Sequence, residues 1–442
     1  MSAFVHPDEI RSRFSAALSA MYRAEVPQYG DLLTLVADIN AQTLKTDTAN
    51  ADRLAASGEL ARLSQERHGA IRVGTADELA TIARAFAVMG MEPVSYYNLA
   101  PAGVPVHSTA FRPVDPAALA RNPFRVFTSL LRLELIEDEA LREEAAATLA
   151  RRDIFTPGAR ELIDTAERMG GLDEAQTDLF VAELLETFRW HAQATVSAET
   201  YERLVAAHRL IADVVSFKGP HINHLTPRTL DIDAAQAAMP ARGITPKETI
   251  EGPPARECPI LLRQTSFKAL QEPITFPSDA GAVAGAHTAR FGEIEQRGCA
   301  LTPTGRALYD EALANKDFSA LPDDWTAMRR EGLGWFRYRA TPQGLAARAE
   351  TDDLEALIDL GHVVAEPITY EDFLPVSAAG IFQSNLGAEA RASAYAVDPA
   401  KADFEKALGR PVQDEMALYQ AAQDASIAAT LTALGLAQPE AV

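Results

Sequence analysis

The feature that most limits how this 442-residue chain can fold is an internal repeat. One copy opens at His68-Gly69-Ala70-Ile71-Arg72 and carries Asp77 nine residues after the histidine. The other opens at His224-Leu225-Thr226-Pro227-Arg228 and carries Asp233 at the same spacing. Each runs on into a short alanine-rich helical pattern that stops near a glycine, Gly90 or Gly243. A proline, Pro93 or Pro246, stands three residues beyond. A strand, a capped helix and a return strand, duplicated, would read this way. The repeat therefore predicts an α+β fold of two related βαβββ modules with large helical insertions.

The rest of the chain sorts around that frame. Residues 1–60 read as N-terminal helices, with Ile10, Phe14, Leu18 and Met21 on one face of the first and Leu32, Leu35, Val36 and Ile39 on the second. Residues 61–135 hold the first module: a strand over His68–Val73, and a helix opened by a Thr75–Glu78 capping box. Strands over Pro93–Leu99, Val104–Phe111 and Arg125–Leu131 complete it. Residues 136–217 are charged and rich in alanine and leucine, with helical patterns over Leu141–Arg151, Gly158–Met169, Glu174–Trp190 and Ala198–Val215. This is a helical insertion read as scaffold. Residues 218–300 hold the second module, with a helix over Asp231–Arg242 and strands near Glu248–Gly252, Pro259–Ser266 and Arg290–Arg297. Residues 301–442 form a largely helical C-terminal region with a strand at Trp335–Arg339 and a loop at 370–386.

Composition narrows the partners. Hydrophobic residues make up 47% and charged residues 23%, the balance of an ordinary globular protein. A net charge of −21 argues against nucleic acid or an anionic membrane as partner. Cys258 and Cys299 are the two cysteines and stand far apart, which suits a reducing compartment and argues against a thiolate metal site. No apolar run approaches the ~18 residues of a membrane span, so a cytoplasmic location is expected. No protein partner is evident.

The repeated histidines carry the chemistry. Residues four apart on a strand share a face, about 13 Å apart. A metal on His68 or His224 would then have Arg72 or Arg228 further along the same wall, a receptor for a ligand that meets a metal at one end and carries negative charge at the other. A single histidine is more often an ordinary structural residue, and His6, His107, His191, His208, His287 and His362 are read so. His68 and His224 differ because the repeat sets them at equivalent places. A carboxylate is offered by Arg290-Phe291-Gly292-Glu293-Ile294-Glu295-Gln296-Arg297. Glu293 and Glu295 fall on the same strand face, so spacing leaves both open. Overlaying this stretch on Arg125–Arg132 by its terminal arginines sets Thr128 opposite Glu293, leaving three ligands and open positions. Two histidines and one carboxylate with open positions are the ligand set of non-haem Fe(II) oxygenases, although Mn, Co and Zn also bind such a set.

The Arg-Phe-Gly-Glu-Ile-Glu-Gln-Arg-Gly stretch resembles the ligand strand of 4-hydroxyphenylpyruvate dioxygenase and hydroxymandelate synthase, in the vicinal oxygen chelate superfamily. That resemblance implies Glu293 as the ligand beside His68 and His224. A closer resemblance spans nearly the whole chain. It rests on Arg67–Arg72, on Lys218-Gly219-Pro220-His221-Ile222-Asn223-His224 through Arg228, on the Glu293 strand, and on Tyr370-Glu371-Asp372-Phe373-Leu374-Pro375-Val376-Ser377-Ala378-Ala379-Gly380-Ile381-Phe382. These motifs are similar, in order, to those of the 2-oxoadipate dioxygenase/decarboxylase family. The resemblance implies an Fe(II) enzyme of lysine catabolism that takes a dicarboxylic 2-oxo acid and O2 to (R)-2-hydroxyglutarate and CO2. It further implies that Arg72, Val376 and Ser377 bind substrate and that the loop at 370–386 lines the pocket. The competing expectations are an extradiol-type dioxygenase, a dioxygenase of another 2-oxo acid, a glyoxalase-type isomerase, and a binding protein without turnover.

Overall fold

A computed structural model describes residues 4–65, 67–347, 351–374 and 400–436. The first repeat copy folds as its pattern dictates. In β1 (Arg67–Val73), Ile71 and Val73 join one apolar cluster and Ala70 another, so His68, Ala70 and Arg72 share the second face. The following helix, Ala76–Val88, lays Leu79, Ile82, Ala83 and Phe86 against the Ile71 side. Thr75 caps it by accepting the Glu78 N–H. The expected capping box closes only halfway, because the Glu78 carboxylate turns to the Gly74 N–H at 2.6 Å and to Arg152 of the insertion at 2.8 Å. A buried arginine is a stronger partner for that carboxylate than one exposed N–H. Beyond the helix, Gly90 takes φ 67° and its counterpart Gly243 takes φ 71°, left-handed conformations in which a side chain is strained.

The remaining strands are β2 (Glu92–Asn98), β3 (Val106–Arg112), β4 (Arg125–Leu131), β5 (His224–Pro227), β6 (Leu262–Ser266), β7 (Gln271–Phe276), β8 (Val283–Thr288), β9 (Glu293–Arg297), β10 (Phe336–Ala340) and β11 (Val363–Pro367). One sheet runs β2-β3-β4-β1-β5, with β1 parallel to β4 and antiparallel to β5. On the far side of β5, Arg228 bridges Glu295 of β9 in parallel, and β9 pairs with β6. Residues 246–251 lie antiparallel to β6 through Pro246–Phe267 and Glu251–Gln264 bridges. His68 and His224 thus stand on adjacent central strands, Ala70 pairing directly with His224.

Several elements depart from the pattern. The helix expected over Ala198–Val215 is two, Ala198–Ala207 and Arg209–Val215. His208 leaves the helical region at φ −171° and caps the second by accepting the Leu210 N–H. The β7–β8 hairpin is a departure: only Ile274 and Phe276 of β7 enter an apolar cluster, Pro273 interrupts that strand, and β8 is mostly small and exposed residues, so the alternation is too short to mark it. The strand expected from Arg290 begins at Glu293, and that expected from Pro259 begins at Leu262.

The chain divides into two compact units. The larger comprises Met1–Glu251, Gln264–Gln296 and Phe373–Gln413, and holds both histidines of the repeat. Its first helix, α1 (Pro7–Glu25), is pinned by fully buried Arg11, which donates to the carbonyls of Met89, Ala118 and Asn122. The smaller unit packs the β10–β11 hairpin against the Glu415–Ala433 helix, with Gln423 and Ser426 accepting from the Phe336 and Tyr338 N–H groups. Among the described residues no helix is long and apolar enough to cross a membrane.

Candidate metal centre

His68, His224 and Glu293 converge. All three are buried to 1% exposure or less, and their ligand atoms lie within 4.8 Å of one another. Glu293 Oε2 stands 3.1 Å from His68 Nε2 and 3.7 Å from His224 Nε2. Ligand atoms on one divalent ion, with bonds of about 2.0–2.2 Å, are separated by roughly 3–4 Å. Thr226 Oγ1 and Gln264 Nε2 each donate to the same Glu293 oxygen at 3.0 Å, fixing its direction from β5 and β6.

Spacing alone left Glu293 and Glu295 equivalent, and the geometry separates them. Both point to the β9 face that meets His68, but Glu295 Oε2 lies 2.8 Å from the other ring nitrogen, Nδ1. A carboxylate behind a ring nitrogen sets the tautomer and leaves Nε2 directed forward. Burial is the largest influence on His68 and would lower its pKa, yet the charges and hydrogen bonds of Glu295 and Glu293 together raise it. His224 goes the other way: burial, then the positive neighbours His68 and Arg72, hold it well below the usual histidine range. Both His224 ring nitrogens are buried without a hydrogen-bond partner among the described residues. A neutral imidazole with an unmet lone pair, beside an anchored carboxylate, fits a divalent cation. Its binding would displace the His68 proton.

Thr128 does not occupy the place expected of it. Val126 and Leu130 join the Ile71 cluster while Phe127 and Leu131 join the Ala70 cluster, so Thr128 faces the helices. Strand pairing matches Arg72 with Ser129 and Arg228 with Glu295; two residues earlier stand Phe127 and Glu293. Aligning the strands by their arginines was one residue out of register, which inverts every side chain. Phe127 offers no ligand atom. Its ring lies 5.4 Å from that of Phe373, which packs edge-on against His68 at 5.0 Å.

Arg72 shares the inner face with His68, as the spacing predicts. It lines a cavity of about 810 Å³ with Tyr201, Asp213, Lys247, His287 and Phe291, and the Phe291 ring packs 4.7 Å from His224. Partial burial pushes Lys247 down to about 8, against the opposing charges of Glu293 and Glu251. Arg228 differs from its counterpart, pairing with Glu59 at 2.8 Å. Val376 and Ser377 lie outside the described residues.

A second buried group, Asp213, His221 and His287, was not singled out by sequence, and His287 was read as ordinary. Asp213 Oδ2 accepts from Arg72 Nη1 at 2.7 Å; Oδ1 stands 2.9 Å from His287 Nε2 and 3.3 Å from His221 Nε2. His287 Nδ1 lies 2.9 Å from the Tyr201 hydroxyl, and His221 Nε2 lies 3.2 Å from Asn223 Nδ2. Burial would raise Asp213, but His221 and Arg72 hold it well below the usual carboxylate range. These groups largely satisfy one another and already include a fixed cation. His221 Nδ1 is the exception, buried without a hydrogen-bond partner among the described residues. The first group, with its unmet imidazole, is the better metal site.

A mixed α/β scaffold carrying two buried histidines and a buried carboxylate with converging ligand atoms defines a candidate metalloenzyme. The family model for 2-oxoadipate dioxygenase/decarboxylase matches residues 14–385. The Escherichia coli (strain K12) 2-oxoadipate dioxygenase/decarboxylase is 60% identical over 96% of this chain and 98% of its own. The Pseudomonas putida protein of that name is 58% identical over 98% of both. The crystal structure of the Pseudomonas putida hydroxyglutarate synthase in complex with 2-oxoadipate matches with a TM-score of 0.90 and 56% identity, covering 99% of this chain and all of that one. The chain belongs to the 2-oxoadipate dioxygenase/decarboxylase family, a family of enzymes.

Proposed function

We propose that this chain converts 2-oxoadipate and O2 to (R)-2-hydroxyglutarate and CO2, using Fe(II) held by His68, His224 and Glu293. The observation that carries the reading is the buried His224 imidazole, without a hydrogen-bond partner among the described residues, beside the anchored Glu293 carboxylate, in a chain of this family. Fe(II), when held by His68, His224 and Glu293, would supply Lewis-acid and redox chemistry toward the 2-oxo acid and oxygen. In the net reaction the C1–C2 bond breaks, C1 leaves as CO2, C2 becomes a carboxylate, and C3 gains a hydroxyl. Both oxygen atoms of O2 enter one product, and no outside reductant is consumed.

The chain's own groups have distinct parts in this. Glu295 orients His68 through Nδ1, while Thr226 and Gln264 hold Glu293. Phe127, Phe291 and Phe373 surround the centre with apolar surface that limits water. Arg72, on the cavity wall, receives the distal carboxylate, and Val376 and Ser377 complete the substrate contacts. The two repeat copies are read as paired vicinal oxygen chelate modules: residues 61–135 and 218–300, with 1–60, 136–217 and 301–442 as additions. The matching order of strands on either side of the β1–β5 contact supports this. Lysine catabolism in the cytoplasm is the setting inferred for the reaction.

Iron-loaded protein should consume oxygen and release CO2 in equal amounts with 2-oxoadipate. Consumption with a catechol but not with 2-oxoadipate would favour the extradiol alternative. Binding of 2-oxoadipate without oxygen uptake would favour a binding protein.

A further inference from the structure

The insertion read as scaffold delivers a carboxylate to the cavity wall. Asp213, on the Arg209–Val215 helix, is 5% exposed and meets Arg72, 7% exposed, at 2.7 Å. The carboxylate is itself immobilised: His287 and His221 engage its other oxygen, Tyr201 backs His287, and the rings of Trp190 and Phe217 stand 4.7 Å from those of His221 and His287 respectively. A planar guanidinium held along one edge by an immobilised carboxylate has its plane set, and with it the direction in which it meets a planar carboxylate.

We propose that Asp213 is the positioning residue of Arg72: it fixes the guanidinium for the distal carboxylate of a dicarboxylic 2-oxo acid, and so sets the preference for such acids. His221 and His287 share the Asp213 charge by hydrogen bonding, which lessens its repulsion of the incoming carboxylate. This rests on the reading of Arg72 as the carboxylate receptor, and the variants below separate the two.

The test compares kcat/KM of the iron-loaded enzyme for 2-oxoadipate and for 2-oxohexanoate, which ends in a methyl where 2-oxoadipate ends in a carboxylate. Asp213→Asn, nearly isosteric, should lower the ratio of the two by about tenfold, a change in recognition of about 1.4 kcal/mol. The loss should fall mainly on KM for 2-oxoadipate. Asp213→Glu, which keeps the charge but shifts the anchor by one methylene, should give an intermediate ratio. Arg72→Met should collapse the ratio, and adding Asp213→Asn to it should change the ratio no further. Metal content should match the unaltered protein in every Asp213 variant. Equal losses on both substrates, an additive double variant, or loss of metal from Asp213→Asn would overturn the proposal. An Arg72→Met ratio equal to that of the unaltered enzyme would instead overturn the carboxylate-receptor reading beneath it.

Discussion

At the scale of single residues, the centre separates atoms that hold the ion from atoms that hold the ligands. Among the described residues His224 has no hydrogen-bond partner for its ring nitrogens, so His224→Ala should leave purified protein with little bound iron and no measurable turnover. Metal analysis checks this directly, and normal iron content would remove His224 from the ligand set. Glu295 acts through His68. Glu295→Gln keeps the shape but weakens the pull on Nδ1, and should reduce metal affinity about 10- to 100-fold, as read by competition with a chelator. Affinity unchanged by that substitution would make Glu295 a bystander. The histidines were legible in sequence because a duplication marks them twice. Asp213 was not, because the contacts that give it a role come from Arg72, 141 residues away, and His287, 74 residues away. No spacing rule reaches that far.

At the scale of elements, periodicity reads well where a whole face is apolar and poorly where only one or two of its residues are. Strand β1 and the Ala76–Val88 helix follow their patterns because Ile71, Val73, Leu79, Ile82 and Phe86 enter one core. The β7–β8 hairpin lacked such a signal, and the break at His208 carries neither proline nor glycine to mark it. The strand overlay failed by one residue because arginines at both ends looked like a register mark, whereas the pairing with β1 sets Phe127 on the inner face. Arg11 illustrates a link between elements that no local pattern encodes. Its guanidinium meets carbonyls at Met89, Ala118 and Asn122, tying α1 to the ends of two other helices. Arg11→Leu would take the guanidinium from the buried Met89 and Asn122 carbonyls and should cost roughly 2–4 kcal/mol of stability, measured by denaturant unfolding. A loss below about 0.5 kcal/mol, the usual effect of a neutral surface change, would contradict that role.

For the whole molecule, the buried charge network predicts how stability depends on pH. Asp213 is held below its ordinary value near 3.8, chiefly against burial and by His221 and Arg72. A carboxyl lowered on folding adds stability that is fully present above its unfolded value and is lost as pH falls through the folded one. Unfolding free energy should therefore decline below about pH 4, and Asp213→Asn, already less stable at neutral pH, should show a shallower decline there. An identical acid slope in the two proteins would remove Asp213 from that account. The fate of oxygen is read by mass spectrometry of the product formed under 18O2. Label should enter the new carboxylate of 2-hydroxyglutarate, with a second label in its C2 hydroxyl, less any exchanged with water. Product formed at full rate with label at neither position would contradict the proposed reaction.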